Sequence, residues 1–68
     1  MIRKWLEYAR VGRGLRQDEM AKKLGMTRSY YSMIEDDARQ KDLRLSTVVK
    51  LSAALGIPIS KIIEYETE

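Results

Sequence analysis

The 68-residue chain contains no cysteine and no histidine, and its only proline is Pro58. Without cysteine there is no disulfide and no thiolate metal site. Without histidine as well, zinc would have to be held by carboxylates alone, an uncommon donor set, so no metal or cofactor is expected. The same absences narrow catalysis. Acid, base and nucleophile would have to come from Asp, Glu, Lys, Ser or Tyr, and no carboxylate cluster lies on an apolar, pocket-forming segment. An enzyme is not expected. Gly12-Arg13-Gly14 is too short and too far from any strand to be a dinucleotide loop, and no other small-molecule site is evident. Nor does any apolar run approach the roughly 20 residues of a membrane span. The opening Met-Ile-Arg-Lys-Trp-Leu-Glu-Tyr has no apolar stretch after its charges, so the expectation is a cytoplasmic protein with no membrane association.

Sixty-eight residues suit one domain, spanning 1–68. A core of this size is marginal and usually leans on metals, disulfides, partners or regular helix packing. The first two are struck out here, which leaves helix packing and a second copy of the chain. The net charge of +3 is too small to name a polyanionic partner, but its distribution says more. Residues 1 to 44 hold eleven Lys/Arg against seven Asp/Glu, a surplus of +4, whereas residues 45 to 68 hold two against three, a net of −1. The basic part is expected to face any polyanion.

Four glycines (Gly12, Gly14, Gly25 and Gly56) punctuate apolar residues that recur at helical spacing. Ile2, Leu6 and Ala9 draw one face of a first helix ending near Gly12. Met20, Ala21 and Leu24 do the same for a second, which opens on Gln17-Asp18-Glu19 and stops at Gly25. Acidic residues in the first turn and glycine past the end suit the helix dipole and a left-handed C-cap. Thr27 is placed to cap a third helix from Arg28 to about Asp36, with Tyr31 and Ile34 turned inward. Residues 37 to 44 lack periodicity and read as a charged loop. Ser46 is a candidate cap for a fourth helix carrying Val48, Leu51 and Leu55 up to Gly56. In the tail, Ile57 to Tyr65, β-branched residues would suit a strand, but a lone strand leaves its backbone unpaired. A short fifth helix is the better reading.

Two short helices around Gly25-Met26-Thr27 meet the demands of a helix-turn-helix over about 17–36. Ala21 is small enough for the crossing, and Gly25 accepts the positive φ of the turn. Tyr31 and Ile34 share one face of the third helix, and Arg28, Ser29 and Ser32 lie on the other. The run Gln17-Asp18-Glu19-Met20-Ala21-Lys22-Lys23-Leu24-Gly25, continued by Met26-Thr27-Arg28-Ser29-Tyr30-Tyr31-Ser32-Met33-Ile34-Glu35, resembles the helix-turn-helix of phage repressor and Cro proteins, the XRE-type regulators. The likeness extends upstream through Ile2, Leu6, Arg10, Gly14 and Leu15, and downstream through Leu51-Ser52-Ala53-Ala54-Leu55-Gly56-Ile57.

That resemblance implies an all-α, five-helix fold of the lambda repressor-like type, with the third helix in the major groove of duplex DNA. It implies base contacts from Arg28, Ser29, Ser32 and Met33. Arg28 is the expected chief reader, because arginine is shaped to bond guanine O6 and N7 together. Phosphate contacts are expected from Gln17, Arg16, Tyr30, Arg39, Lys41 and Arg44; these position the protein without conveying sequence. Tyr30 is alternatively a surface aromatic with no partner, and the three loop cations alternatively a solvated loop. Arg10 and Glu35 match a partly buried pair that orients the recognition helix. Four departures stand out, one being a loop after the third helix about two residues longer than is usual in the family. Arg16 occupies the position of a small polar cap, Tyr31 replaces a branched aliphatic residue, and Asp36-Asp37 puts two carboxylates at a helix C-terminus, opposing its dipole.

One recognition helix reads few base pairs, too few to discriminate within a genome. Relatives answer this as two-fold dimers on half-sites about 34 Å apart. Ile59, Ile62, Ile63 and Tyr65, within the segment 57–65, are the candidate interface of a homodimer; the alternative is that they close the core. The expected function is transcriptional regulation as a small repressor or controller on a palindromic operator. The rival is an antitoxin or a protein-binding adaptor of the same fold.

Overall fold

Glycine and short polar residues divide the chain into short helices, and packing of their apolar faces supplies most of the stability such helices lack in isolation. The computed structural model describes residues 2–68. Its elements are α1 (Lys4–Gly12), α2 (Gln17–Lys23), α3 (Arg28–Glu35), α4 (Leu45–Leu55) and α5 (Ile59–Thr67). Among the described residues the fold is all-α, five helices with no strand. Among the described residues no single helix is long and apolar enough to cross a membrane.

The helix boundaries follow from local chemistry. Glu19 accepts the backbone N–H of Arg16 at 2.8 Å, so one half of a capping box survives although Arg16 offers no acceptor of its own. Leu24 closes α2 and Gly25 then turns at φ 71°, a conformation that costs most residues about 1–2 kcal/mol and glycine almost nothing. Thr27 starts α3 by accepting the N–H of Tyr30 on its hydroxyl at 3.2 Å. Gly56 ends α4 at φ 66°, and Arg13 donates to the Leu55 carbonyl beside it.

Ser46 does not cap the fourth helix. The helix opens at Leu45 with extended Arg44 before it, because the Arg44 carbonyl already accepts from Val48 N–H at 3.0 Å. Starting at Ser46 would forfeit that backbone bond.

The core joins all five helices. Leu6 of α1, Met20 and Ala21 of α2, Tyr31 and Ile34 of α3, Val48, Leu51 and Leu55 of α4, and Ile62 of α5 are all buried in it. Burial of a Leu or Ile side chain is worth about 1.5–3 kcal/mol, and all of these except Ile62 are residues whose spacing marks the inward faces of the helices in the sequence. Ile2 departs from that pattern. It precedes α1, is half exposed, and pairs with Asp36 in an isolated antiparallel bridge. Its neighbour Arg3 is buried instead. The short extended segment sends alternate side chains to opposite sides, and the inward one is the arginine.

Candidate nucleic-acid interface

The crossing of α2 and α3 leaves the outer face of the third helix bare. Arg28, Ser29, Ser32 and Met33 line one open groove on that face, together with Asp36 and Arg39. Arg28 and Ser29 are exposed, and Ser32 and Met33 are half-buried. The Arg28 guanidinium forms no ion pair among the described residues, so its donors remain available. A groove with a forked donor, two hydroxyls and a thioether can bond base edges and touch a thymine methyl.

Behind this face, a polar network fixes how α3 sits. Arg10 of α1 donates from Nε to Glu35 Oε2 at 2.6 Å and from Nη2 to Glu35 Oε1 at 3.4 Å. Arg10 Nη1 also holds the Leu15 carbonyl at 2.8 Å, which anchors the chain leading into α2. Glu35 is almost fully buried. A buried carboxylate must be surrounded by donors or it destabilises the fold, and two more residues complete the set. Tyr31 donates its hydroxyl to Glu35 Oε2 at 2.5 Å, and Gln17 donates from Nε2 to Oε1 at 3.1 Å. Tyr31, one turn before Glu35 on the same helix, thus fills the core with its ring and ties its hydroxyl to the ion pair. Burial, then the bond to the Glu35 carboxylate, pushes the Tyr31 phenol far above its ordinary value. The hydrogen bond to Glu35 raises Arg10 in turn.

The phosphate candidates are placed unequally. Gln17 is half-buried and already gives one amide N–H to Glu35, so a phosphate would have to take the other. Arg16 is exposed but bonded at 3.2 Å to Asp18 Oδ1, with Glu19 Oε1 at 3.6 Å. Its charge is therefore partly neutralised before any DNA arrives. Tyr30 is half-buried and its ring packs against the core, which withdraws it from the groove edge. Arg39, Lys41 and Arg44 are exposed. Asp36 accepts the Ala38 N–H at 3.1 Å, and that bond holds its carboxyl below the usual carboxylate range. Asp36 therefore stays ionised within the groove.

Two members of the expected dimer contact are otherwise engaged. Ile62 is fully buried in the chain's own core and presents no surface to a partner. Tyr65 stacks on Trp5 with ring centroids 5.4 Å apart. Ile59 and Ile63 remain exposed at 38% and 52%.

Sequence reasoning missed a second polar centre. Arg3 reaches Ile34, Gln40, Lys41 and Glu66 through its guanidinium, and Trp5 Nε1 donates to the same Glu66 oxygen at 2.6 Å. Nothing local marks these residues, because the partners lie 31 to 63 positions away.

Five helices in the lambda repressor-like arrangement, with a helix-turn-helix formed by α2 and α3, are the build of a DNA-binding regulator. Residues 6–62 match the helix-turn-helix family, and the chain belongs to it as a Cro/C1-type (XRE) member. It is 39% identical over 56 residues to an uncharacterized HTH-type transcriptional regulator, YqaF, of Bacillus subtilis (strain 168), covering 82% of this chain and 71% of that one. It is 38% identical over 48 residues to a Neisseria hypothetical transcription factor of Neisseria meningitidis serogroup B, covering 71% of this chain and 43% of the relative. No solved structure matches.

Proposed function

We propose that residues 1–68 form one cytoplasmic DNA-binding domain that reads a palindromic duplex operator as a homodimer and acts as a repressor or controller of transcription. The single observation that carries this reading is the groove of α3, where an uncommitted Arg28 stands beside Ser29, Ser32 and Met33. Arg28 bonds guanine; the other three contribute weaker base and methyl contacts. Lys41, Arg44 and Arg39, with Gln17 through its second amide N–H, meet phosphates. Arg16 and Tyr30 contribute less, since one is ion-paired and the other packed inward. Ile59 and Ile63 carry the dimer contact, supported by their exposure on α5.

The test is titration against selected and random duplexes at several salt concentrations, with wild type and Arg28→Ala. Specific binding with a steep negative salt slope is expected for wild type. Arg28→Ala is expected to lose about 1–3 kcal/mol of sequence discrimination while keeping nonspecific binding. Binding indistinguishable from that to a polyanion control refutes the reading. Unfolding of Arg28→Ala refutes the docking.

A further inference from the structure

The loop from Asp36 to Arg44 carries three cations but little structure of its own. Its backbone returns to α3 through Arg39 and Gln40 N–H groups on the Asp36 carbonyl, at 3.0 and 3.1 Å. Beyond that point Leu43 packs against the core, and among the described residues the polar hold on the loop backbone comes from one side chain elsewhere. Arg3 Nη2 donates to the carbonyls of Gln40 and Lys41, both at 2.9 Å, while Nη1 donates to the Ile34 carbonyl at 2.5 Å. One guanidinium therefore spans the last turn of the recognition helix and two consecutive peptides of the loop. Its fourth bond, from Nε to Glu66 Oε2 at 2.8 Å, supplies the counter-charge. The Arg3 side chain is only 3% exposed, so this charge is withheld from direct contact with DNA. Glu66 is itself fixed by the indole of Trp5, which Tyr65 covers. Arg3 is also tied through its main chain, N–H to the Glu35 carbonyl at 2.6 Å.

We infer that Arg3 and Glu66 are positioning residues for DNA binding: the buried Arg3 guanidinium, paired with the partly exposed Glu66, sets the angle between the recognition helix and the loop that presents Lys41 and Arg44. The inference rests on the proposed reading that this loop faces phosphate. Only a planar fork serves three carbonyls and a carboxylate together; a lysine ammonium in the same place has three donors from one point. Every bond made by Arg3 is to a group off the reading face, so its effect on DNA passes through the loop.

The experiment compares the salt slope of specific duplex binding for wild type, Arg3→Lys, Glu66→Gln, Lys41→Ala and Arg44→Ala, each first shown folded by circular dichroism. The slope counts phosphate contacts, and a lower folded fraction alone does not change it. Arg3→Lys keeps the charge of the chain, yet its slope is expected to fall by about 1 to 2, as for loss of one or two contacts. Its affinity at 0.1 M salt falls on the order of tenfold. Glu66→Gln removes a negative charge, which by charge alone strengthens DNA binding; positioning gives the opposite sign, a weakening. If Arg3→Lys does not fold, Glu66→Gln carries the test, because it removes the counter-charge that holds the guanidinium against the three carbonyls. Wild-type slopes in both positioning variants, with lowered slopes in Lys41→Ala and Arg44→Ala, overturn the inference alone. Unchanged slopes in the two loop variants overturn the reading on which it rests.

Discussion

Tyr31→Phe isolates a single hydroxyl in the network that seats the recognition helix. The phenylalanine keeps the buried ring, so little packing is lost, and Glu35 keeps its bonds from Arg10 and Gln17. What disappears is the 2.5 Å bond from the phenol to Glu35 Oε2. A hydrogen bond to a charged group is worth about 1.5–3 kcal/mol, and the remaining donors favour the lower part, about 2 kcal/mol at pH 7. For a domain of this length that lowers Tm by about 8–16 °C. The pH dependence makes the prediction sharper. In the unfolded chain a tyrosine ionises near pH 10, whereas burial and Glu35 keep the native phenol protonated far above that. The folded state thus holds the proton more tightly, so this contribution is complete below about pH 10 and drains away as pH rises past it. At pH 11 the unfolded state has gained about 1.4 kcal/mol from ionising Tyr31. The stability difference between wild type and Tyr31→Phe should therefore shrink from about 2 kcal/mol at pH 7–9 to about 0.5 kcal/mol at pH 11. Urea unfolding followed by circular dichroism at those pH values measures it, and other titrating groups cancel in the difference. A difference that is absent at pH 7, or flat between pH 9 and 11, refutes the reasoning.

Other perturbations follow from the same geometry. Arg10→Met leaves the buried Glu35 carboxylate without its cation and is expected to cost about 3–5 kcal/mol in urea unfolding; the double variant with Glu35→Leu should recover much of that loss. Gly25→Ala meets open space but must hold φ 71°, so a destabilisation of about 1–2 kcal/mol is expected from strain alone. A loss near zero in thermal melts would mean that the turn relaxes. Ile63→Glu charges an exposed position on α5, so Tm should hardly move while sedimentation shows a monomer at concentrations where wild type pairs. Unchanged sedimentation would place the dimer contact elsewhere.

Much of the scaffold was legible because its causes are local. Gly25 and Gly56 end helices through their own φ angles, Thr27 caps through its own hydroxyl, and Met20, Leu24, Val48, Leu51 and Leu55 reveal their buried face by spacing alone. Apart from the Ser46 cap, displaced by the local bond from Val48 to Arg44, errors arose where a long-range partner decided the outcome. Ile2 reads as the first core position of a helical stripe, yet the chain is extended there and alternation buries Arg3. Ile62 looks like surplus apolar surface on a tail, yet α5 folds back and buries it. At the site, the outward placement of Arg28, Ser29 and Ser32 was legible from periodicity on α3, and that of Met33 from the family resemblance. The inward turn of Gln17 and the partner of the Tyr31 hydroxyl were not, because both depend on where the Glu35 carboxylate lies in space.

Arg3 and Glu66 meet although 63 positions separate them, and this gives the fold the topology of a nearly closed ring. The packed helices between them bring the two residues together, so the contact depends on the whole fold rather than on either segment alone. A ring of this kind has no privileged starting point. With residues 3 and 66 already bonded, a short covalent bridge between them would follow the native path, and the exposed residues around Lys41 and Asp42 would serve as new ends. Such a permutant would keep every helix while exchanging which junction is a bond and which is a gap.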